Sequence, residues 1–189
     1  MVKTHSRRSG FTMIETVIVL VLIGIMASIG LPRIDAFKYR ADGSAVQVRS
    51  LLMQAQRDAI VRQHDLIVSI DTVRHRLILG YDQNNDGNVV SFERIRTQAL
   101  PENNTFAAPP QALGTPGLNA YGGIHAEKLK SISGLPSVVF RRDGSVSSAL
   151  ELYTTTARKK PTDFRVTTVV QATGRTEFRR FTGTGWKRP

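Results

Sequence analysis

Residues 11–31 read FTMIETVIVLVLIGIMASIGL, and no other stretch constrains the chain as strongly. Twenty-one residues at about 1.5 Å each make a helix of roughly 30 Å, the thickness of a hydrocarbon core. A soluble helix so uniformly apolar would have no polar face to show water. A cleaved secretory signal would need small residues at a cut site after the run, but Gly30, Leu31, Pro32, Arg33 and Ile34 follow. The segment therefore reads as an uncleaved anchor. Charge counting leaves its orientation open: Lys3, Arg7 and Arg8 precede it, and Arg33, Lys38, Arg40 and Arg49 follow closely.

Composition narrows the rest. The chain has 189 residues, 41% hydrophobic, enough for one domain, or one domain plus an appendage, and too apolar for global disorder. It has no cysteine, which excludes a disulfide scaffold and a thiolate metal site. The net charge of +11 sits at the two ends. Residues 1–10 carry three basic side chains and no acid, and residues 158–189 carry nine basic side chains against Asp163 and Glu177. A basic leader before an apolar run reads as a targeting feature, and a basic C-terminal segment suggests either a polyanionic partner or a cationic solvated surface.

Glu15 breaks the apolar run. A carboxylate in hydrocarbon costs a few kcal/mol on insertion scales and needs a partner. No basic side chain lies near it on the same segment, but a cut between Gly10 and Phe11 would create an α-amino group about one helical turn away. Ser9-Gly10-Phe11-Thr12-Met13-Ile14-Glu15 followed by the apolar run closely resembles the class III signal of type IV pilins and type II secretion pseudopilins. The resemblance implies cleavage after Gly10 by prepilin peptidase on the cytoplasmic side and N-methylation of Phe11. It also implies a cytoplasmic leader and a periplasmic head at a bacterial inner membrane. Glu15 matches the residue that registers a subunit against its neighbour's N-terminus in a helical filament, and Pro32 falls where many pilins carry a helix-bending proline. The implied partners are prepilin peptidase, other pilins or pseudopilins, and the inner-membrane assembly platform.

Beyond Pro32 the chain turns amphipathic, with Ala45, Val48, Leu52, Ala55 and Ala59 at helical spacing. The pattern predicts one long helix from Phe11 to about Gln63, bent near Gly30 and Pro32 and loosened at Asp42-Gly43, with two separate helices as the alternative. After His64 the periodicity becomes that of strands. Strands are expected over residues 66–71, 76–81, 89–100, 138–142, 145–153, 165–172 and 176–181, with hairpins at Asp143-Gly144 and Thr173-Gly174-Arg175. Residues 101–136, rich in proline and glycine, read as loop. The expected organisation is a leader at 1–10, a transmembrane helix at 11–31, an amphipathic helix at 32–64 and a β-rich head at 65–189. The fold class is α+β, a helix laid across an antiparallel sheet. Val139-Phe140 leading into Asp143-Gly144, with Gly174-Arg175 later, resembles the GspH/FimT-type minor pseudopilins. That likeness implies a structural subunit of a secretion pseudopilus or a type IV pilus; the long irregular middle and cationic end suit a low-copy subunit better than a major one, which is the alternative.

Two clusters in the head carry candidate chemistry. Asp82, Asn84, Asp86, Asn88 and Glu93, with Gly87 between, fit the D-x-[DN]-x-[DN]-G-x₅-E calcium formula, in which alternate oxygens converge on a hard cation. Strand-like flanks favour the alternative of a plain Asn/Asp/Gly hairpin loop. Arg175, Arg179, Arg180, Lys187 and Arg188, near Phe178, Phe181 and Trp186, could neutralise phosphates and stack bases. Strand alternation places Arg175, Glu177 and Arg179 on one face. Some FimT-type pilins bind DNA through Gly-Arg-x-Arg; here Gly174, Arg175 and Thr176 match and Glu177 takes the second arginine's place. DNA capture is thus the alternative to a purely structural role. His5, His64, His75 and His125 show no ligand spacing, and no nucleophile elbow or phosphate loop is present, so no enzyme is expected.

Overall fold

The computed structural model describes residues 10–30, 35–84, 86–87, 94–110, 120–121, 124–126 and 130–189. The chain divides into two compact units, Met1–Ala36 and Phe37–Pro189. The first holds α1, Met13–Gly30, and the second is built around α2, Ala36–Arg62. The continuous helix expected from Phe11 to Gln63 is thus two helices, with Asp35 outside both; Pro32 and the leader lie outside the described residues. Among the described residues no helix is long and apolar enough to cross a membrane. Of the 21-residue span expected at 11–31, an 18-residue helix is described, because Phe11 and Thr12 precede its first turn and Leu31 lies outside the described residues.

In α2, Ala41, Ser44, Ala45, Val48, Leu51, Leu52, Ala55 and Ala59 are buried, which is the predicted inward stripe at three- and four-residue spacing. The helix runs unbroken through Asp42-Gly43, where loosening was expected. Asp42 accepts from Arg165 Nε at 2.5 Å, which pins that turn to the head. The helix stops at Gln63, whose φ of 56° is left-handed and whose amide donates to the Ile60 carbonyl at 2.7 Å, satisfying one of the last orphan acceptors.

Strand pairing is antiparallel throughout, in two sheets rather than one. The first contains β1 (Asp65–Asp71), β2 (Arg76–Asp82), β3 (Ile95–Ala99), β7 (Lys130–Ile132) and β8 (Leu135–Phe140), in the order β3-β2-β1-β8-β7. The second contains β4 (Asn104–Phe106), β5 (Ala120–Tyr121), β6 (Ile124–Ala126), β9 (Leu150–Thr156), β10 (Arg165–Val169), β11 (Thr176–Phe181) and β12 (Trp186–Lys187). Here β10 pairs with one edge of β9, while β6 and β4 share the other edge end to end. Among the described residues, the expected loop at 101–136 therefore contains four short strands, β4 to β7. β4 and β6 pair with the distant β9, while β5 pairs with β6 and β7 with β8, each too short to show a strand periodicity among the breaker residues.

The turn at Asp143-Gly144 forms, with the Gly144 N–H donating to the Arg141 carbonyl at 2.9 Å and a single bridge from Phe140 to Val146. The expected hairpin does not continue, because β8 belongs to the first sheet and β9 to the second. The strand expected over 145–153 accordingly begins only at Leu150. The second hairpin is as expected: β10 and β11 pair from Arg165↔Arg180 to Val169↔Thr176. Of the strand expected over 89–100, Ile95–Ala99 is formed, and 88–93 lie outside the described residues.

One hydrophobic cluster joins Val48, Leu52 and Ala55 of α2 to Leu66, Val68 and Ile70 of β1, Val138 and Phe140 of β8, and Leu150 and Leu152 of β9. The opposite face of β1 has its own smaller cluster of Ile67, Ile132 and Val139, so β1 alternates between two apolar layers.

Candidate processing and assembly site

Gly10, Phe11 and Thr12 precede α1 in non-helical backbone, and the side chains from Phe11 to Ser28 are exposed. Thr12 and Glu15 close the start of the helix as a reciprocal capping box. The Glu15 N–H donates to Thr12 Oγ1 at 3.3 Å, and the Thr12 N–H donates to Glu15 Oε2 at 3.4 Å. These bonds are long, so the carboxylate is held loosely at the positive end of the helix dipole. A Thr-x-x-Glu ahead of an apolar run is legible in residues 12–15, and reading Glu15 only as an acid without a basic neighbour overlooks it. The box turns the carboxylate toward the N-terminal side. A cut after Gly10 would put the new ammonium of Phe11 next to the Thr12 N–H that this carboxylate already meets.

Phe11, Met13, Ile14 and Met26 are 70–86% exposed, and Val17, Ile18, Leu20, Leu22 and Ile25 are all more than half or about half exposed. A contiguous apolar surface of this length needs cover that unit 1 does not itself supply.

In the head, Gln56 of α2 joins two glycine turns. Its Nε2 donates to the Gly144 carbonyl at 2.9 Å and to the Thr173 carbonyl at 2.7 Å. Gly174 has φ +62°, and a Cβ there would sit 2.3 Å from Gln56 Nε2 and 2.5 Å from the Gly144 oxygen. Glycine is therefore required on both steric and conformational grounds. The turns that carry the pseudopilin-like sequence pattern are thus fastened to the helix by one side chain.

The basic C-terminal cluster is organised around an acid. Glu177 meets Arg175 at 2.7 Å, Arg188 at 2.9 Å and Arg179 at 3.9 Å, as the predicted strand alternation requires for Arg175 and Arg179. Arg180 and Lys187 are exposed and stand opposite each other in the β11–β12 pair. Of the aromatics, Phe181 is buried, and Trp186 lies edge-on to Tyr153 and Phe181 with ring centroids at 5.6 and 5.5 Å. Those two rings are packed rather than presented, and Phe178 is half-buried.

At the calcium-like loop, the buried Asp82 carboxylate accepts the backbone N–H groups of Asp86 at 3.1 Å and Gly87 at 2.7 Å. Asn84 accepts the Asp86 N–H and donates to the Asp86 carboxylate, both as a turn-building network. Asn88 and Glu93 lie outside the described residues. Among the described residues no group of three or more His, Cys, Asp or Glu side chains could hold a metal ion. His75 Nδ1 accepts the Phe106 N–H at 3.3 Å, which gives that histidine a structural role.

Among known proteins, no curated sequence matches the chain. Similar solved structures include the minor pseudopilin EpsH from the type 2 secretion system of Vibrio cholerae, with 16% identity over 74% of this chain and 95% of that one, at a TM-score of 0.49. The type IV minor pilin FimU of Pseudomonas aeruginosa is 13% identical over 78% of this chain and 96% of that one, at a TM-score of 0.48. At the N-terminus, where Gly10, Phe11, the Thr12–Glu15 box and the exposed apolar helix follow one another, residues 5–31 match the prokaryotic N-terminal methylation motif.

Proposed function

We infer that this chain is a structural subunit of a type II secretion pseudopilus or a type IV pilus, held by α1 in the inner membrane before assembly. The N-terminal methylation motif over residues 5–31 carries the reading, since such a motif indicates processing by prepilin peptidase. The leader is cytoplasmic, the cut falls after Gly10, Phe11 is N-methylated, and the head faces the periplasm. The exposed apolar surface of α1 first meets lipid and then the α1 helices of neighbouring subunits. Glu15, already turned toward the N-terminal side by its capping box, exchanges the Thr12 N–H for a neighbour's Phe11 ammonium, a charge-assisted and stronger bond in a medium without water. The subunit does no catalysis; its partners are the peptidase, the other subunits and the assembly platform.

A Glu15→Ala variant tests the pairing. Cleavage and methylation are expected to proceed at the normal level, because the scissile bond and Phe11 are untouched, while incorporation into filaments falls at least tenfold. Immunoblotting of sheared filaments against total membrane measures the ratio, and normal incorporation would refute the pairing.

A further inference from the structure

Two basic segments far apart in sequence meet at the first turn of α2. The Arg158 guanidinium carbon lies 4.5 Å from the centroid of the Phe37 ring, and that of Arg40 lies 5.7 Å from it. Arg165, 2% exposed, ties the same corner together by donating to Asp42, to the Thr162 carbonyl at 2.7 Å and to the Lys38 carbonyl at 3.4 Å. Two acids here are already engaged: the buried Asp163 accepts two bonds from Arg158 and one from Thr156, and the partly exposed Asp42 accepts from Arg165. Lys38, Arg40, Lys159 and Lys160 remain on the surface, all exposed. The three lysines have no ion-pair partner among the described residues. Tyr39, 70% exposed, stands between Lys38 and Arg40 in the sequence. Glu102 lines a shallow pocket with Arg40 and offsets part of the charge there.

We propose that this corner of the head is a docking surface for the phosphate groups of anionic phospholipids. The proposal rests on the reading of α1 as a membrane anchor, because only five residues separate Gly30 from Ala36. A tether of that length spans at most about 20 Å. Lysines act as mobile point charges suited to a fluid layer of phosphodiesters, and tyrosine is a residue of membrane interfaces, where its ring and hydroxyl meet different media. Each cation beside an anionic surface strengthens binding about fivefold. A free phosphate ion would use the lysines but leave Tyr39 without a role. This corner thereby keeps contact with anionic lipid until assembly releases it.

The chain has no cysteine, so single cysteines introduced into the full-length protein report site by site. A nitroxide on Ala157→Cys, an exposed position beside Arg158, is followed in vesicles of phosphatidylcholine alone and of phosphatidylcholine with phosphatidylglycerol. The expected result is protection from a water-soluble nickel relaxant only when phosphatidylglycerol is present, reversed by high salt. Replacing Lys38, Lys159 and Lys160 together by glutamine, all exposed, should lower the ratio of docked to free heads about a hundredfold. Equal accessibility in both vesicles, or no change in the triple variant, overturns the proposal. A second label on Ile18→Cys reports anchoring independently. Its exposure to the aqueous relaxant would defeat the anchor reading, while the Ala157 signal would still decide whether the corner binds anionic lipid.

Discussion

Along α1 the side chains from Met13 to Ser28 are exposed on every side, whereas α2 buries one stripe of small and aliphatic residues against two sheets. Both are helices, yet the reasons for their existence differ. For α2 the stabilisation is internal: removing its stripe from water drives it onto β1, β8 and β9. For α1 no such internal stripe exists: Val17, Ile18, Leu20 and Leu22 are half exposed or more, so unit 1 does not itself bury them. Substitutions of similar chemistry should therefore have opposite signatures in the two helices.

The largest effect is expected at Leu52, which is fully buried. Leu52→Ala should lower the unfolding free energy of the head by about 2–5 kcal/mol. Leu20→Ala, at a position 67% exposed, should leave it unchanged within about 0.5 kcal/mol and act only on assembly. Urea titration of both variants in detergent, followed by the tryptophan signal of Trp186, measures the contrast. Equal destabilisation would mean that α1 is part of the head's cooperative unit.

How far this contrast is legible in the sequence depends on where each partner lies. The α2 stripe, β1, β2 and the β10–β11 hairpin follow from local periodicity and turn residues, because their partners are near in sequence or any apolar layer would serve. The division into two sheets is not legible. The Asp143-Gly144 turn looks like a hairpin turn, and its second strand leaves only because β9 finds β10, β6 and β4 on the other layer. Strands β4 to β7 are two or three residues long: β4 and β6 depend on the distant edge of β9, and β5 and β7, though paired with near neighbours, are too short for any periodicity to show. At the N-terminus Gly10, Phe11 and Glu15 are legible as a motif, and the Thr12–Glu15 box is legible from spacing alone. At the C-terminus the role of Glu177 as the hub of three arginines is half visible: alternation gives Arg175 and Arg179, but Arg188 arrives from beyond the next strand.

An intermediate effect is expected at the clasp between α2 and the two glycine turns. Gly174→Ala should cost about 2 kcal/mol, combining a left-handed φ with contacts far inside van der Waals distance. Adding Gln56→Ala should recover only part of this, since the Gly144 oxygen remains 2.5 Å from the new methyl group. Thermal unfolding of the single and double variants checks the order, and full recovery would show that the clash is with the side chain alone.

The smallest effect is a pH dependence of the head. The Arg74 backbone N–H, and then Arg76, hold the Asp71 carboxyl below its ordinary pKa, with burial acting in the opposite direction. The folded state thus binds this proton more weakly than the unfolded chain. The stability it contributes is present above the unfolded value of about 3.9 and is lost as the pH falls through the lower folded value. An Asp71→Asn variant should flatten the stability profile below about pH 4 without altering its shape near neutrality. A parallel loss in both proteins would place the acid sensitivity elsewhere.

The proposed function requires the conversion of Gly10–Phe11 from an ordinary peptide bond into a new N-terminus beside Glu15. Intact mass measurement of the protein extracted from its native membranes and filaments tests this directly. The predicted species begins at Phe11 and carries one additional methyl group on its amine. A chain that begins at Met1 and is unmethylated in both fractions would contradict it.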